Sequence, residues 1–354
     1  MRCSLLTVCK IKCWVRFGGP LYRNFESHGE PTNASAEAVL LGDIGATNAR
    51  FACLVDGTLG PIKWIEVGHY PTFDEAVEHF LQSQPRDAPV VHALFAVAGP
   101  IERERCTFTN CPWTVDGRDM RDRFEFRSVQ IVNDFEATAL SLPHLAKQDL
   151  NSIGGGRAVP GAPMVVLGPG SGLGVAALVP EGAGHVVVAS EGGHATMPAN
   201  SVREDAVLDL LRGRFGHVSA ERVLSGPGIE NLYQAIIALD SIAAPPRNAA
   251  DITVAALKGA CPISRAALEM FCAMLGGFAA NAALTCGARG GIYIAGGIAP
   301  RILDFLAKSE FRRRFEQKGR LRAYLETIPS QVIVHPAATF LGLTSLALKS
   351  ASYS

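Results

Sequence analysis

The sequence has few aromatic residues, no excess of either charge and no cysteines at CxxC spacing. Aromatic residues make up 7% and apolar residues 48% of the 354 positions, so the core must be built mainly from Ala, Val, Leu, Ile and Gly. Lys plus Arg and Asp plus Glu both number 33, so no net field favours nucleic acid or a membrane surface. The nine cysteines show no CxxC spacing, which favours buried thiols in a reducing cytoplasm over disulfides or zinc.

Two common nucleotide-binding motifs are also missing. The phosphate-loop pattern GxxxxGK(S/T) does not occur. The dinucleotide pattern GxGxxG fails because Leu173 stands where its third glycine belongs, and the residues that follow favour a strand over a helix.

The long apolar run 266–285 contains Glu269, Asn281 and a Gly-Gly pair, which indicates a core helix rather than a membrane span.

Two glycine-rich hairpins are the clearest features that are present. Apolar residues flank Gly42–Thr47 in the first, and Met164–Leu167 and Val175–Val179 flank GPGSGLG in the second. Such turns point backbone N–H groups and a hydroxyl, from Thr47 or Ser171, at an anion. Asp43 ends a buried strand and needs a partner such as a hydrated cation. A plain hairpin turn carrying a lone acid is the alternative.

The remaining pattern alternates strands with capped helices, which predicts α/β layering. Residues 151–163, rich in Gly and Pro, are predicted to form an inter-domain linker. Predicted capping residues are Thr72 with Glu75, Ser201 with Glu204, Asp116, and Asp251. The predicted elements are helices 72–84, 116–124, 134–142 and 201–215, a helix that follows residues 219–228 and runs to about 240, a helix opened by Asp251, a long apolar helix that runs to about 286 and several helices within 299–326, strands 90–98, 108–113, 129–132, 291–295 and 331–335, and a closing helix 338–349.

Residues 1–36 differ in character from the rest of the chain. They carry five basic residues and no acid before Glu26, and their apolar piece, 5–9, is too short for a secretory core. We interpret this stretch as a disordered extension or as sequence upstream of the true start.

Six segments in one order carry a family resemblance. They are GDIGATNAR (42–50), IVNDFEA (131–137), LGPGSGLG (167–174), EGGH (191–194), SAERVLSGPG (219–228) and IAGGIAPR (294–301). In order and spacing they resemble the bacterial glucokinase family of sugar kinases with the actin-like (ribonuclease H-like) fold. The resemblance implies two α/β domains, each a mixed sheet flanked by helices: a small one from 37–145 plus 335–354 and a large one from 146–334.

The resemblance also implies a cytoplasmic enzyme that phosphorylates glucose at its 6-hydroxyl with ATP and Mg²⁺, feeding glycolysis. Asp134 is then the general base, and the sugar contacts are Asn133, Asp134, Glu191, His194 and Glu221. The ATP-binding residues are Gly42, Asp43, Ile44, Gly45, Ala46, Thr47, Gly170, Ser171, Gly172, Gly296 and Gly297, with Asp43 contacting Mg²⁺ through water. The family usually has Gly where Ala46 stands and Thr where Ser171 stands.

Several alternatives stay open at the level of sequence. Asp134 is also explained as an ordinary helix cap, and His194 as a metal ligand or a core histidine. The chain is alternatively a kinase for another hexose (mannose or an amino sugar), a non-catalytic sugar-sensing protein, or an actin-like scaffold that binds nucleotide only. The expected partners are glucose and ATP, without nucleic acid or membrane, and a homodimer is compatible with the sequence.

Overall fold

The structure of the protein is a computed structural model that describes residues 37–84, 88–108, 111–182 and 184–351. The predicted extension, residues 1–36, lies outside the described residues, as do Thr109 and Asn110. The bounds of the strand predicted at 108–113 are wrong, because the strands here are Arg105–Thr107 and Thr114–Asp116, on either side of that range.

The described residues alternate strands with helices, as the sequence predicts. The strands are β1 (Ala38–Ile44), β2 (Asn48–Val55), β3 (Thr58–Leu59), β4 (Lys63–Glu66), β5 (Val90–Val97), β6 (Arg105–Thr107), β7 (Thr114–Asp116), β8 (Ser128–Asn133), β9 (Leu150–Gly154), β10 (Met164–Pro169), β11 (Leu173–Glu181), β12 (Gly184–Ser190), β13 (Gly291–Ile294) and β14 (Ser330–Ile333). The helices are α1 (Phe73–Gln82), α2 (Gly117–Phe124), α3 (Asp134–Ser141), α4 (Val202–Phe215), α5 (Gly226–Asp240), α6 (Ala249–Leu257), α7 (Pro262–Cys286), α8 (Leu303–Lys308), α9 (Phe311–Glu316), α10 (Arg322–Glu326) and α11 (Ala338–Ala351).

The first sheet has the strand order β3-β2-β1-β5-β8, with β4 also paired to β2. β1 and β2 form an antiparallel hairpin, while β1, β5 and β8 run parallel. Helices α1 and α2 bury Phe73, Phe80 and Met120 against one face of this sheet. Phe340 and Leu343 of α11 pack on the other face.

The second sheet has the strand order β12-β11-β10-β13-β14-β9. It repeats the arrangement of the first, because the antiparallel hairpin β10–β11 is extended by the parallel strands β13 and β14. The core on one face includes residues of α4 to α7, such as Phe271 and Leu275. The repeat explains why the sequence holds two glycine-rich hairpins.

Helices α3 and α11 lie between the two sheets. Ala137 of α3 packs with Phe340 in the core of the first sheet, whereas Ala139 and Leu140 pack on Val166 and its neighbours in the second. Since α3 follows β8 directly, its first residues lie where both sheets meet.

The predicted caps are mostly confirmed. Thr72 Oγ1 accepts a hydrogen bond from Glu75 N at 3.3 Å, and Ser201 Oγ accepts one from Glu204 N at 3.2 Å. Asp116 caps α2. The prediction for Asp251 is wrong, because Asn248 is the N-cap of α6 and accepts from Asp251 N at 2.8 Å. Asn and Asp cap equally well, so composition alone could not choose between them.

The predicted linker is partly wrong. Its first residues belong to β9, an antiparallel edge strand beside β14, and Ile153 is buried in the core of the second sheet. Alternation of buried and exposed side chains in a strand this short is a weak sequence signal beside the Gly and Pro that follow.

Helix α7 is long and apolar enough to cross a membrane by length and composition, and it is the one such helix among the described residues. Of its most apolar window, 78% is buried inside the protein. Phe271, Leu275 and Ala279 pack in the core of the second sheet. The predicted core helix is confirmed.

Candidate active site

The two glycine hairpins form tight turns at the ends of their strands. In the first, Gly45 N donates to Asn48 O at 3.0 Å, and in the second Gly170 N donates to Gly172 O at 2.8 Å. Gly42 and Ile44 lie inside β1 and are buried, and a Cβ added at Gly42 would lie 2.6 Å from the Phe95 ring. Gly42 is therefore a packing glycine of the sheet rather than a residue of the turn.

The tips of both turns face solvent. Thr47 and Ser171 are exposed, and Ala46 is half-buried without adopting a positive φ. An alanine in place of the family's usual glycine is therefore unstrained here.

A cleft of about 680 Å³ brings five of the predicted residues together. They are Asp43 and Gly45 of the first hairpin, Asp134 at the start of α3, and Gly296 and Gly297 after β13. One hairpin turn, one helix start and one glycine pair from distant parts of the sequence thus line one space. This arrangement suits a ligand that carries both polar and anionic groups.

Asp43 has a protein partner that the sequence reasoning left out. Arg50 lies opposite Asp43 in the β1–β2 register, and its Nε donates to Asp43 Oδ2 at 2.9 Å, with Nη2 binding the same oxygen. The guanidinium also donates to Pro336 O at 2.8 Å and lies over the rings of Trp64 and Phe340. Burial raises the pKa of Asp43, and Arg50 opposes the rise. Asp43 is thus a held carboxylate rather than a lone acid.

Asp134 is the first residue of α3, and the cap of that helix is its neighbour Asn133. Asn133 Oδ1 accepts hydrogen bonds from Phe135 N at 2.9 Å and Glu136 N at 3.4 Å. Asp134 Oδ1 accepts from Phe135 N at 2.9 Å, and its carboxylate lines the cleft. The ordinary-cap interpretation therefore fits Asn133, not Asp134.

The cleft perturbs the acidity of Asp134 strongly. Its pKa is raised to about 7, chiefly by burial and further by the negative charges of Asp43 and Glu191, while the hydrogen bond from the Phe135 N–H opposes the rise. Burial is the main cause that raises the pKa of the nearby Cys106 thiol to about 11, and the negative charge of Asp134 is the second cause. A carboxyl group with its pKa near 7 is able to take up and release a proton at neutral pH.

Glu221 joins the second hairpin to the predicted sugar contacts. Its Oε2 accepts a hydrogen bond from Leu173 N, directly after the turn, at 2.9 Å. A Cβ added at Gly193, within the EGGH segment, would overlap Leu173 O, so that segment also packs on Leu173. An isolated bridge between Thr196 and Ser219 ties the two segments to each other.

Glu191 and His194 present their side chains outward. The two side chains are 70% and 60% exposed, with His194 Nε2 3.8 Å from Glu191 Oε2. Residues 192–194 form a 3₁₀ turn rather than an α-helix, as the adjacent glycines predict. His194 is therefore not a core histidine.

A second cavity, of about 590 Å³, adjoins the second hairpin. Gly170 and Ser171 line it together with Gly297. The rest of its wall is mainly apolar, with Ile229 and Val254 as examples. Such a wall suits a flat apolar group such as a nucleobase.

Several cleft residues escaped prediction from sequence. They are Asn48, Arg50, Trp64, Phe135, Thr138, Arg301 and His335. For Arg50 a signal exists, because Asp43 and Arg50 stand symmetrically about the turn and must face each other in a hairpin. Asn48, Phe135 and Arg301 lie inside the six quoted segments, which assign them no role, and the remaining three lie outside those segments.

Comparison with known proteins identifies the family. The family model described as Glucokinase matches residues 40–350. The glucokinase of Paramagnetospirillum magneticum is 44% identical, over 88% of this chain and 98% of its own. The crystal structure of a glucokinase from an Antarctic psychrotroph has a TM-score of 0.79 at 34% identity, covering 88% of this chain and 99% of that one.

A ROK family glucokinase from Streptomyces griseus, solved with glucose and AMPPNP, shares the fold, with a TM-score of 0.59 at 18% identity over 88% of this chain and 99% of its own. The actin-like α/β fold predicted from the six segments is confirmed by these neighbours and by the repeated sheet arrangement. The chain belongs to the glucokinase family.

Proposed function

We propose that this chain transfers the γ-phosphoryl group of ATP to the 6-hydroxyl of glucose, with Asp134 as general base. The observation that carries the proposal is the position of Asp134, whose carboxylate shares one cleft with Asp43, Gly45, Gly296 and Gly297. Phosphoryl transfer to a hydroxyl needs an acceptor for the hydroxyl proton and donors around the phosphates. The cleft supplies both.

The sugar contacts are Asn133, Glu191, His194 and Glu221 in this proposal. Capping occupies Asn133 Oδ1, so its amide NH₂ is left to donate to a hydroxyl. Leu173 N occupies Oε2 of Glu221, which leaves Oε1 to accept from one. A sugar hydroxyl both donates and accepts, and an epimer that leaves one of these groups unpaired binds less well.

The turns of the two hairpins hold the donor phosphates through Gly45 to Thr47 and Gly170 to Gly172. Among the described residues, no group of three or more His, Cys, Asp or Glu side chains is placed to hold a metal ion. This fits Mg²⁺, which keeps most of its waters and binds through substrate phosphates and one or two carboxylates. Asp43 would hold it through water, with Oδ1 as the oxygen that Arg50 leaves available. Bound Mg²⁺ would neutralise charge on the phosphates.

The predicted division into residues 37–145 with 335–354 and 146–334 belongs to the same proposal. The reacting groups would then lie between two domains, and closure on glucose would exclude water, a competing acceptor. A cytoplasmic location is also part of it, supported by thiols that remain free at all six cysteines in the described residues.

The rate of reaction should fall in acid because Asp134 must be ionised to accept a proton. With a pKa of about 7, the active carboxylate form is lost as the pH falls through neutrality. We expect kcat/KM to be about tenfold lower at pH 6 than at pH 8, with unit slope on the acid side. A steady-state profile at saturating Mg²⁺ measures this. A rate that stays constant from pH 5 to pH 8 would contradict the assigned base.

A coupled assay of the purified chain against hexoses tests the function itself. Glucose should give the highest kcat/KM, with mannose, galactose and glucosamine about 100-fold lower or worse. Preference for mannose or glucosamine would make the chain a kinase for another hexose. Glucose binding without turnover would make it a sugar-sensing protein.

A further inference from the structure

The polar cleft and the apolar cavity share two lining residues, Gly297 and Arg301. Arg301 lies on the 3₁₀ turn Ala299–Ile302, which follows the Gly296-Gly297 pair. Its side chain therefore stands on the border between the space that contains Asp134 and the space beside Gly170 and Ser171.

The guanidinium of Arg301 is uncommitted. The residue is exposed, and within the described part of the chain its side chain forms no hydrogen bond, ion pair or ring contact, although its backbone N donates to Ile298 O. Arg50, the other arginine of the cleft, is held by Asp43 and Pro336. No lysine is among the residues that line the cleft or the cavity.

A nucleoside triphosphate has the same division as the two spaces. Its base is flat and largely apolar, and its tail is polyanionic. If the base occupies the apolar cavity and the γ-phosphate lies near Asp134, the α- and β-phosphates pass the border where Arg301 stands. The chain has no phosphate-loop lysine to bind the phosphates. A planar guanidinium with paired N–H donors at this point can provide the positive charge and the hydrogen bonds instead.

We propose that Arg301 binds the α- and β-phosphates of the donor nucleotide. This inference rests on the proposed function and adds a specific contact with the donor nucleotide. The contact acts on the phosphates of the nucleotide and not on its nucleobase or on the hexose. Because the contact requires a fork of donors, lysine at this position replaces it only in part.

Nucleotide titrations by calorimetry, without sugar, test the contact apart from turnover. For Arg301→Ala, we expect ADP affinity to fall about 10- to 100-fold, the range of a charge-assisted hydrogen bond, with adenosine affinity unchanged. Arg301→Lys should recover part of the loss. In turnover assays of Arg301→Ala, the KM for ATP should rise while the KM for glucose stays constant.

Arg265→Ala is the matched control. Arg265 lines a neighbouring cavity together with Arg301, but it lines neither the polar cleft nor the apolar cavity beside Gly170. Its guanidinium is paired with Glu269 at 2.8 Å. Removing it takes the same charge from the same side of the protein, and ADP affinity should stay within about twofold.

The outcomes separate the inference from the function. Unchanged ADP affinity in Arg301→Ala, with normal glucose phosphorylation by the wild type, overturns the contact and leaves the function standing. Equal losses for adenosine and ADP also overturn it, since the effect would then come from packing. A wild type that binds ADP but phosphorylates no hexose overturns the function and, with it, the role as a donor contact.

Discussion

Replacing Asp134 by alanine is expected to lower kcat about 10²- to 10⁴-fold, the range contributed by a positioned general base. ADP affinity should change little, because the proposed role of the carboxylate is at the acceptor hydroxyl and not at the nucleotide. The start of the helix is retained, since Asn133 rather than Asp134 provides the cap of α3. Initial rates with saturating glucose and ATP, together with ADP titrations, measure the two effects. Turnover within about threefold of the wild type would show that another group takes the proton.

Asp134→Asn is the control that separates chemistry from folding. The pKa of Asp134 in the folded state, about 7, lies above the ordinary value of 3.8 for an aspartate side chain, so the fold disfavours the ionised form. The stability that this carboxyl group contributes is complete below the unfolded pKa and is lost as the pH rises through about 7. A neutral amide avoids this loss. The free energy of unfolding of Asp134→Asn at pH 8 should therefore be higher than that of the wild type, by on the order of 1–3 kcal/mol. It should nevertheless be as inactive as the alanine variant.

Local chemistry in the sequence is sufficient to predict the elements that surround the cleft. Asn133-Asp134 ends a strand of apolar residues and opens a helix, and the structure places both residues there. The glycine hairpins are likewise visible, because turn residues between apolar strands specify a hairpin locally. The caps of α1, α2 and α4 follow from side chains that satisfy orphan N–H groups nearby.

What the sequence does not reveal are contacts between segments far apart in the chain. The hydrogen bond from Leu173 N to Glu221 spans 48 residues, and Arg50 reaches Pro336 across 286. Such pairs depend on how the two sheets pack against α3 and α11. The spacing of apolar residues along the sequence predicts single helices and strands but not this packing. The border position of Arg301 is of the same kind, since the segment IAGGIAPR contains this residue but does not reveal the two cavities that it separates.

These long-range contacts also connect the two proposed binding functions. Glu221 and Gly193 both contact Leu173, the residue that follows the Gly170–Gly172 turn. A sugar that orders Glu221 would therefore also order the backbone that we propose binds the donor phosphates. Linkage requires the effect to be reciprocal, so nucleotide and glucose should each raise the affinity for the other.

Phe135 holds the start of α3 against the second hairpin, and this contact depends on two glycines. Gly168 and Gly174 lie opposite each other in the β10–β11 register, and a Cβ added at either would overlap the Phe135 ring. Because Phe135 directly follows Asp134, the ring also fixes where that carboxylate lies. The paired glycines thus form a slot that positions the proposed base.

Gly174→Ala should therefore damage both stability and turnover. Overpacking against a ring in the core costs about 1–3 kcal/mol, which is an upper range for the partly buried Phe135, and a shift of the general base by about 1 Å costs about 100-fold in kcat. Denaturant unfolding and steady-state kinetics measure the two effects. Gly213→Ala, in the exposed part of α4 with open space around its Cβ, is the matched control and should stabilise the protein by about 0.5–1 kcal/mol.

A double-mutant cycle with Phe135→Ala identifies the cause. Without the ring, the added methyl group has room, so Gly174→Ala should cost at least about 1 kcal/mol less in that background than in the wild type. An equal cost in both backgrounds would mean that the strain lies elsewhere in β11. Full turnover in Gly174→Ala would mean that the slot does not position Asp134, because the ring would then have moved without carrying the carboxylate along.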